Sequence, residues 1–263
     1  MGTISGSRGL DLNIGMTGIF ITATGTDIGK TYVACQLLKW DQAHWRVFTA
    51  CKPVISGWPT HESEIYKTDS ALLLAANQLP ITAETLDRMS PWRFHLPLTP
   101  DMAARREGKN IVPEALLSYC QQLIEEAKQA SKAVLIEGAG GIMAPISGKF
   151  TALDWITQLE SPCILIAGSY LGTLSHTLTA VEVLQMKNVN ILAIVVNETL
   201  NSTVSLQETC ECLQSFLPYP IIAWPYSKQT EGVNKAVSTL YNSLLQSITN
   251  TTLLQSAYES IIA

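Results

Sequence analysis

The feature that most limits how this chain can fold is a series of short, uninterrupted apolar blocks, at 18–23, 46–51, 133–137, 163–167, 191–197 and 221–224. They are rich in Ile, Val and Leu and do not alternate with polar residues. A strand with one face in water alternates and a strand covered on both faces does not, so these blocks read as strands of a parallel sheet. Between them run longer stretches with apolar residues at helical spacing, at 30–40, 113–130, 174–186, 204–216 and 233–245. In 113–130, Leu116, Cys120, Leu123, Ile124 and Ala127 share a face behind a first-turn proline. Such alternation predicts an α/β fold, a doubly wound and mostly parallel sheet with helices on both faces. Segments 57–68 and 90–109 read as loops, the second punctuated by Pro91, Pro97 and Pro100.

The 263 residues, 47% hydrophobic and 15% charged, suffice for one sizeable core. Residues 17–263 read as a single domain. Residues 1–16 are Gly- and Ser-rich without periodicity and read as a disordered leader or expression remnant, with Met16 as the native start. A net charge of −5 offers no electrostatic grip on nucleic acid or an anionic membrane. No apolar run reaches the ~18 residues of a membrane span, and the N-terminus lacks a secretory apolar core. The six cysteines form no Cys-x-x-Cys pair, and the four histidines are not at ligand spacing from them. The expectation is free thiols in a cytoplasmic protein that acts on small soluble substrates.

The stretch TATGTDIGKT, residues 22–31, follows the first apolar block and opens the first helical stretch. Strand, glycine loop and helix in that order is the setting of a phosphate-binding loop, so the sheet is expected to be P-loop NTPase-like. Backbone N–H groups there can cradle phosphates. Lys30 would reach the β- and γ-phosphates, and the Thr31 hydroxyl would ligate Mg²⁺. The common form of the loop has Gly where Thr24 stands, so this is a variant.

In open α/β sheets ligands bind at the carboxyl ends of the strands. Glu137 ends the block 133–137, and three of the next four residues are glycine. A carboxylate there is where P-loop proteins hold Mg²⁺; a solvated turn is the other reading. Lys52 ends the block 46–51, either as a surface lysine or as a cation over a transferring phosphoryl group. Asp69 is either a helix N-cap or a second metal carboxylate. Asn197 could pair with a purine edge or cap the turn after its strand. Asp154, Trp155 and His176 read as structural.

Taken together, TATGTDIGKT, Cys51-Lys-Pro-Val-Ile-Ser-Gly57, Lys67-Thr-Asp-Ser-Ala-Leu72, Ile136-Glu-Gly-Ala-Gly-Gly141, Asp154-Trp-Ile-Thr157, Gly168-Ser-Tyr-Leu-Gly172 and Val195-Val-Asn197 occur in an order that resembles the dethiobiotin synthetase family of biotin biosynthesis. The resemblance runs from about residue 18 to about 230. It implies an ATP- and Mg²⁺-dependent cyclo-ligase. Diaminopelargonate and CO₂ (or bicarbonate) give a carbamate, the carbamate takes the γ-phosphoryl group, and ring closure releases phosphate. It further implies that Lys52 and Lys30 are the catalytic lysines and that Ser56 contacts the diamine. Thr31, Asp69 and Glu137 would hold Mg²⁺. Asp27, Ile28, Gly29, Lys30, Thr31 and Tyr32 would wrap the phosphates. Gly138, Ala139 and Gly140 would lie against the nucleotide beside Glu137. Asn197 and Glu198 would touch the base, and Pro225, Tyr226 and Ser227 would line its pocket. The family works as a homodimer, without nucleic acid or membrane.

The chain departs from the family pattern at Ala23, where Gly is usual, at Gly25 and Asp101, where Asp and His are usual, and at Glu198, where Asp is usual. Two other classes remain open at this point. A chromosome-partitioning type of P-loop switch ATPase usually carries a second lysine early in the loop, and none stands between Ile19 and Ile28. A non-catalytic relative would be expected to lack some of Lys30, Thr31, Lys52 and Glu137.

Overall fold

The apolar blocks become the strands of one sheet in the computed structural model, which describes residues 18–226 and 230–248. The leader at 1–16, Ser227 and the tail past 248 lie outside those residues. The chain starts with β1 (Gly18–Ala23), the glycine loop, α1 (Lys30–His44) and β2 (Phe48–Cys51). An excursion follows: β3 (Val54–Ser56), a 3₁₀ turn (Glu62–Lys67), α2 (Asp69–Ala76), α3 (Ala83–Met89), β4 (Trp92–Phe94) and α4 (Pro100–Arg106). The chain returns through α5 (Pro113–Gln129) to β5 (Ala133–Glu137), then forms a small hairpin, β6 (Pro145–Ser147) and β7 (Phe150–Thr151), and α6 (Ala152–Gln158). The remainder is β8 (Cys163–Gly168), α7 (Thr173–Met186), β9 (Ile191–Asn197), α8 (Leu206–Phe216), β10 (Ile221–Trp224) and α9 (Thr230–Ile248).

The six-stranded sheet has the order β10-β9-β8-β1-β5-β2 and every pairing in it is parallel. All six residues of β1 and of β8 are buried, as unbroken apolar blocks require. Beneath the sheet, the Phe20 ring meets Trp155 edge to face, with centroids 5.0 Å apart and both rings wholly buried. Asp154 closes a capping box with Thr151 and so starts the helix that carries Trp155. The six cysteines are free thiols. Among the described residues no helix is long and apolar enough to cross a membrane.

Two expected loops hold structure. Residues 57–68 contain the 3₁₀ turn, and 90–109 contain β4 and α4. Strand β4 is only three residues long and exists because it pairs with β3, Val54 opposite Trp92 and Ser56 opposite Phe94. Helix α4 begins on Pro100 and is held by buried Ala103 and Ala104. Elements this short owe their existence to tertiary packing, which local periodicity does not report.

Helix α1 runs past the expected end at Trp40, and the second strand starts at Phe48 rather than Arg46. Asp41 is the cause. Its carboxylate is wholly buried and accepts the N–H groups of Val47 and Phe48, both at 2.9 Å, which turns the chain from α1 into β2 through Arg46 at φ 57°. The same carboxylate accepts the Tyr241 hydroxyl of α9 at 2.6 Å. One acid thus ties together the helix after the glycine loop, the strand that leads to Lys52, and α9. Replacing Tyr241 with Phe removes one hydrogen bond to a buried charge. The expected cost is about 1.5–3 kcal/mol of unfolding free energy in a urea titration, with an unchanged slope. A loss below roughly 0.5 kcal/mol would show that the bond does not hold α9 in place.

Candidate active site

The glycine loop is shaped from two directions. Gly29 caps α1 at φ 100°, and a Cβ there would sit 2.3 Å from Nδ2 of Asn197, so only glycine fits. That amide donates to the Ile28 carbonyl at 3.0 Å, which braces the loop from the end of β9. On the other side Gly141 packs against the Gly25 backbone, and the Ile142 N–H bonds the Ala23 carbonyl at 2.9 Å. The outcome is a fixed loop at the N-terminus of a fifteen-residue helix with no acidic residue in its first turn. Unpaired N–H groups and the positive end of the helix dipole make that a site for anions.

Beside it lies a buried charge cluster. Lys52 directly follows β2 and Glu137 ends the adjacent β5, and parallel pairing brings the two side chains together. The Lys52 ammonium lies 2.5 Å from Glu137 Oε1 and 2.8 Å from Asp69 Oδ2. The Thr31 hydroxyl donates to the same Glu137 oxygen at 2.6 Å. Lys52 is 5% exposed and Glu137 1% exposed, which removes the surface-lysine and solvated-turn readings. Asp69 is not a cap: Thr68 caps α2 by accepting from the Ala71 N–H, and the Asp69 carboxylate is left for Lys52. A buried hydroxyl chain fixes this geometry. Ser90 donates to the Lys52 carbonyl, and Ser70, next to Asp69, bonds Ser90, both at 2.6 Å.

Protonation follows from burial and neighbours. Burial, with the Lys52 charge added, pushes the Lys30 pKa down to about 8, and its ammonium donates to the Gly25 carbonyl at 3.3 Å. Burial also works against the Lys52 ammonium, but Glu137 and Asp69 outweigh it and hold its pKa above the ordinary lysine value. Burial would raise the Asp69 carboxyl, and Lys52 beside it reverses that and holds it below its ordinary value.

These groups form one end of a cleft of about 770 Å³ that also contains Asp27, Gly29, Ser56, Ala139 and Gly140. Its other wall is apolar: Ile55, Pro97, Leu98, Pro100, Met102 and Ala144. Most of that wall comes from the segment expected to be a loop. Thr26 also lines the cleft, and no signal in the sequence marks it. The Ser56 hydroxyl is buried and unpaired.

The expected base-pocket residues stand elsewhere. Asn197, Glu198, Pro225 and Tyr226 lie at the ends of β9 and β10, across β1 from the cleft. Tyr32 sits on that side with its ring against Trp224. Ile28 bonds Asn197, and Gly138 packs on the Phe20 ring. His176 is exposed and pairs with Tyr170, away from the cluster.

The residues present fit a hard divalent cation. The second Glu137 oxygen is buried without a hydrogen-bond partner. With Asp69 and the Thr31 hydroxyl it forms an all-oxygen donor set, and Mg²⁺ is commonly held by one or two carboxylates together with substrate phosphates.

Loop, sheet and helix define a P-loop nucleotide-binding domain, and the AAA domain family matches residues 17–232. An ATP-dependent dethiobiotin synthetase of Methylobacterium nodulans is 43% identical over 199 residues, 75% of this chain and 88% of that protein. The ATP-dependent dethiobiotin synthetase of Acidiphilium cryptum is 40% identical over 203 residues, 75% of this chain and 87% of its own. That of Legionella pneumophila is 34% identical over 205 residues, 78% and 91%. The chain belongs to the ATP-dependent dethiobiotin synthetase family. The switch-ATPase reading is not favoured by these relatives.

A Lys30 pKa of about 8 in the free protein sets a pH dependence. Bound phosphate favours the ammonium and raises the pKa in the complex, so binding takes up a proton once Lys30 is neutral in the free state. Affinity for ATP, measured by calorimetry with EDTA present, should be flat near pH 7. Above about pH 8 it should weaken, by up to about tenfold per pH unit. An affinity independent of pH from 7 to 9.5 would show that Lys30 either keeps its proton through that range in the free protein or does not meet the phosphates.

Proposed function

We propose that this chain carboxylates 7,8-diaminopelargonate and closes the product to dethiobiotin, with ATP cleaved to ADP and phosphate, as a step of biotin biosynthesis. The observation that carries the reading is the meeting, in one cleft, of a phosphate loop, a second buried lysine and an apolar wall. The phosphate loop alone would serve any nucleotide. Lys52 and the apolar wall call for a second, partly aliphatic and anionic substrate.

Atoms and charge balance at each step. One amine of the diamine adds to CO₂ and loses a proton, giving a carbamate. A carbamate oxygen attacks the γ-phosphorus, ADP leaves, and a carbamic–phosphoric anhydride forms. The second amine attacks its carbonyl carbon, the C–O bond to the phosphoryl group breaks with its electron pair going to the departing phosphate, and the amine gives up a proton to solvent. Carbamate and γ-phosphate are both anions and repel each other until cations screen them. In this reading Lys30 holds the phosphates and Lys52 lies over the transferring group, so the protein contributes mainly position and charge. Ser56 offers its unpaired hydroxyl to the diamine, and Ile55, Pro97 and Met102 exclude water from the alkyl chain. Thr31, Asp69 and Glu137 would hold Mg²⁺, which neutralises phosphate charge when bound. The active form would be a cytoplasmic homodimer with no nucleic-acid partner, an expectation that rests on the family.

The test is phosphate release from MgATP and bicarbonate, with and without the diamine, with mass detection of the cyclic urea. Release that requires the diamine supports the reading; ATP turnover indifferent to it, without product, defeats it. Lys52→Ala should lower kcat at least ~10²–10³-fold, the usual loss when one transition-state donor is removed, while MgATP still binds. Near-normal turnover by that variant would remove Lys52 from the reaction.

A further inference from the structure

We infer that Ser90 is a positioning residue for Lys52 and that Ser70 orients it, so that a buried hydroxyl chain outside the cleft sets where the ammonium lies. The inference rests on the role given to Lys52 in the reading above.

Lys52 stands at a joint. It directly follows β2, the edge strand of the six-stranded sheet, and β3 begins only at Val54, so Lys52 lies between two ladders and in neither. Its carbonyl belongs to the peptide before Pro53, and proline has no N–H to brace the joint from within. The bracing comes from residues 89–92. The Lys52 N–H donates to the Met89 carbonyl at 3.1 Å, and the Trp92 N–H donates to the Pro53 carbonyl at 3.1 Å. The Ser90 hydroxyl donates to the Lys52 carbonyl at 2.6 Å. Of these three bonds only the last comes from a side chain. Ser90 is itself anchored, since its N–H donates to the Leu86 carbonyl at the end of α3.

Proton count gives the chain a direction. A hydroxyl has one proton and a carbonyl can only accept. The Ser90 proton goes to Lys52, so at the 2.6 Å contact between the two serines Ser90 accepts and Ser70 donates. Both serines are wholly buried and neither lines the cleft, so neither touches a substrate there. The first turn of α2 thus reaches Lys52 twice. Asp69 holds the ammonium, and Ser70, through Ser90, holds the backbone. A long side chain pinned at both ends keeps its ammonium beside Glu137, where the proposed phosphoryl transfer needs a cation in a fixed place.

The test is steady-state turnover of the full chain with diamine, MgATP and bicarbonate, beside calorimetric binding of MgATP. Ser90→Ala should lower kcat roughly ten- to a hundredfold, the order of loss when a reacting group is misplaced by about 1 Å, and leave MgATP affinity unchanged. Ser70→Ala keeps the Ser90 donor and should lower kcat less. Neither substitution should reduce the residual turnover of Lys52→Ala any further, because both act through Lys52. Should Ser90→Ala fail to fold, Ser70→Ala and its combination with Lys52→Ala carry the test. An unchanged kcat overturns the inference. So does the same fractional loss with and without Lys52, or a matching loss of MgATP affinity, since either would make the serines supports of the fold at large. If the unaltered chain makes no cyclic urea, the proposed reaction falls, and a crystal structure of Ser90→Ala decides the positioning. A Lys52 ammonium displaced from Asp69 and Glu137 upholds it, and one left in place overturns it.

Discussion

The buried ion pair between Lys52 and Glu137 is the interaction on which the rest of the site depends. Glu137 closes an apolar strand and Lys52 directly follows one, and each alone would be an uncompensated charge in the interior. Removal of one partner from such a pair commonly costs about 3–5 kcal/mol. Adjacent parallel strands solve the problem, because β2 and β5 deliver a cation and an anion to the same depth. The pair is then coupled outward. Thr31 ties Glu137 to the phosphate loop, and Asp69 ties Lys52 to α2. The electrostatic centre and the anion-binding loop thus form one object with three elements feeding it.

This arrangement leaves one oxygen unsatisfied. Glu137 has two lone-pair-rich oxygens, and only one is engaged. Buried carboxylate oxygens are usually paired. The orphan belongs to the same carboxylate whose other oxygen holds both the Thr31 hydroxyl and the Lys52 ammonium. The Ser56 hydroxyl is likewise buried without a partner, and it lines the same cleft.

What is legible in the sequence is whatever local pattern encodes. Unbroken apolar blocks mark β1, β5, β8, β9 and β10 closely, since burial on both faces leaves a direct trace in residue type. Glu137 and Lys52 stand out because strand ends are where ligands bind. The excursion between β3 and α4 does not stand out, since its three-residue strands and one- to two-turn helices depend on packing and proline positions. The cap of α2 is hidden for a related reason: Thr68 and Asp69 are both good caps by type, and only the pull of Lys52 decides between them. Residue type allows Asn197 to be a base contact or a turn cap. Its donation to Ile28 joins residues 169 apart in sequence, a separation no local pattern reports.

Two of the four departures from the family pattern, Ala23 and Gly25, fall where the backbone makes the contact, and a third, Asp101, acts through its carboxylate. Ala23 ends β1 with its methyl in the core, while its carbonyl accepts from Ile142 and the next N–H donates to Ile166. A methyl in place of a hydrogen leaves both bonds intact. Gly25 contributes its carbonyl to Lys30, and a Cβ there would press only on the flexible tip of Ile28. An Asp could occupy the position with a small shift, and glycine removes a carboxylate from the neighbourhood of the phosphates. Asp101 acts as a clamp, since one oxygen accepts the Gly148 N–H and the other pairs with Arg105, both at 2.8 Å. That pins α4, and with it Pro100 and Met102 of the apolar wall, to the turn between β6 and β7. These three changes, like the fourth at Glu198, leave the lysines, the carboxylates and Thr31 in place, because none of those side chains relies on the substituted side chains for its position.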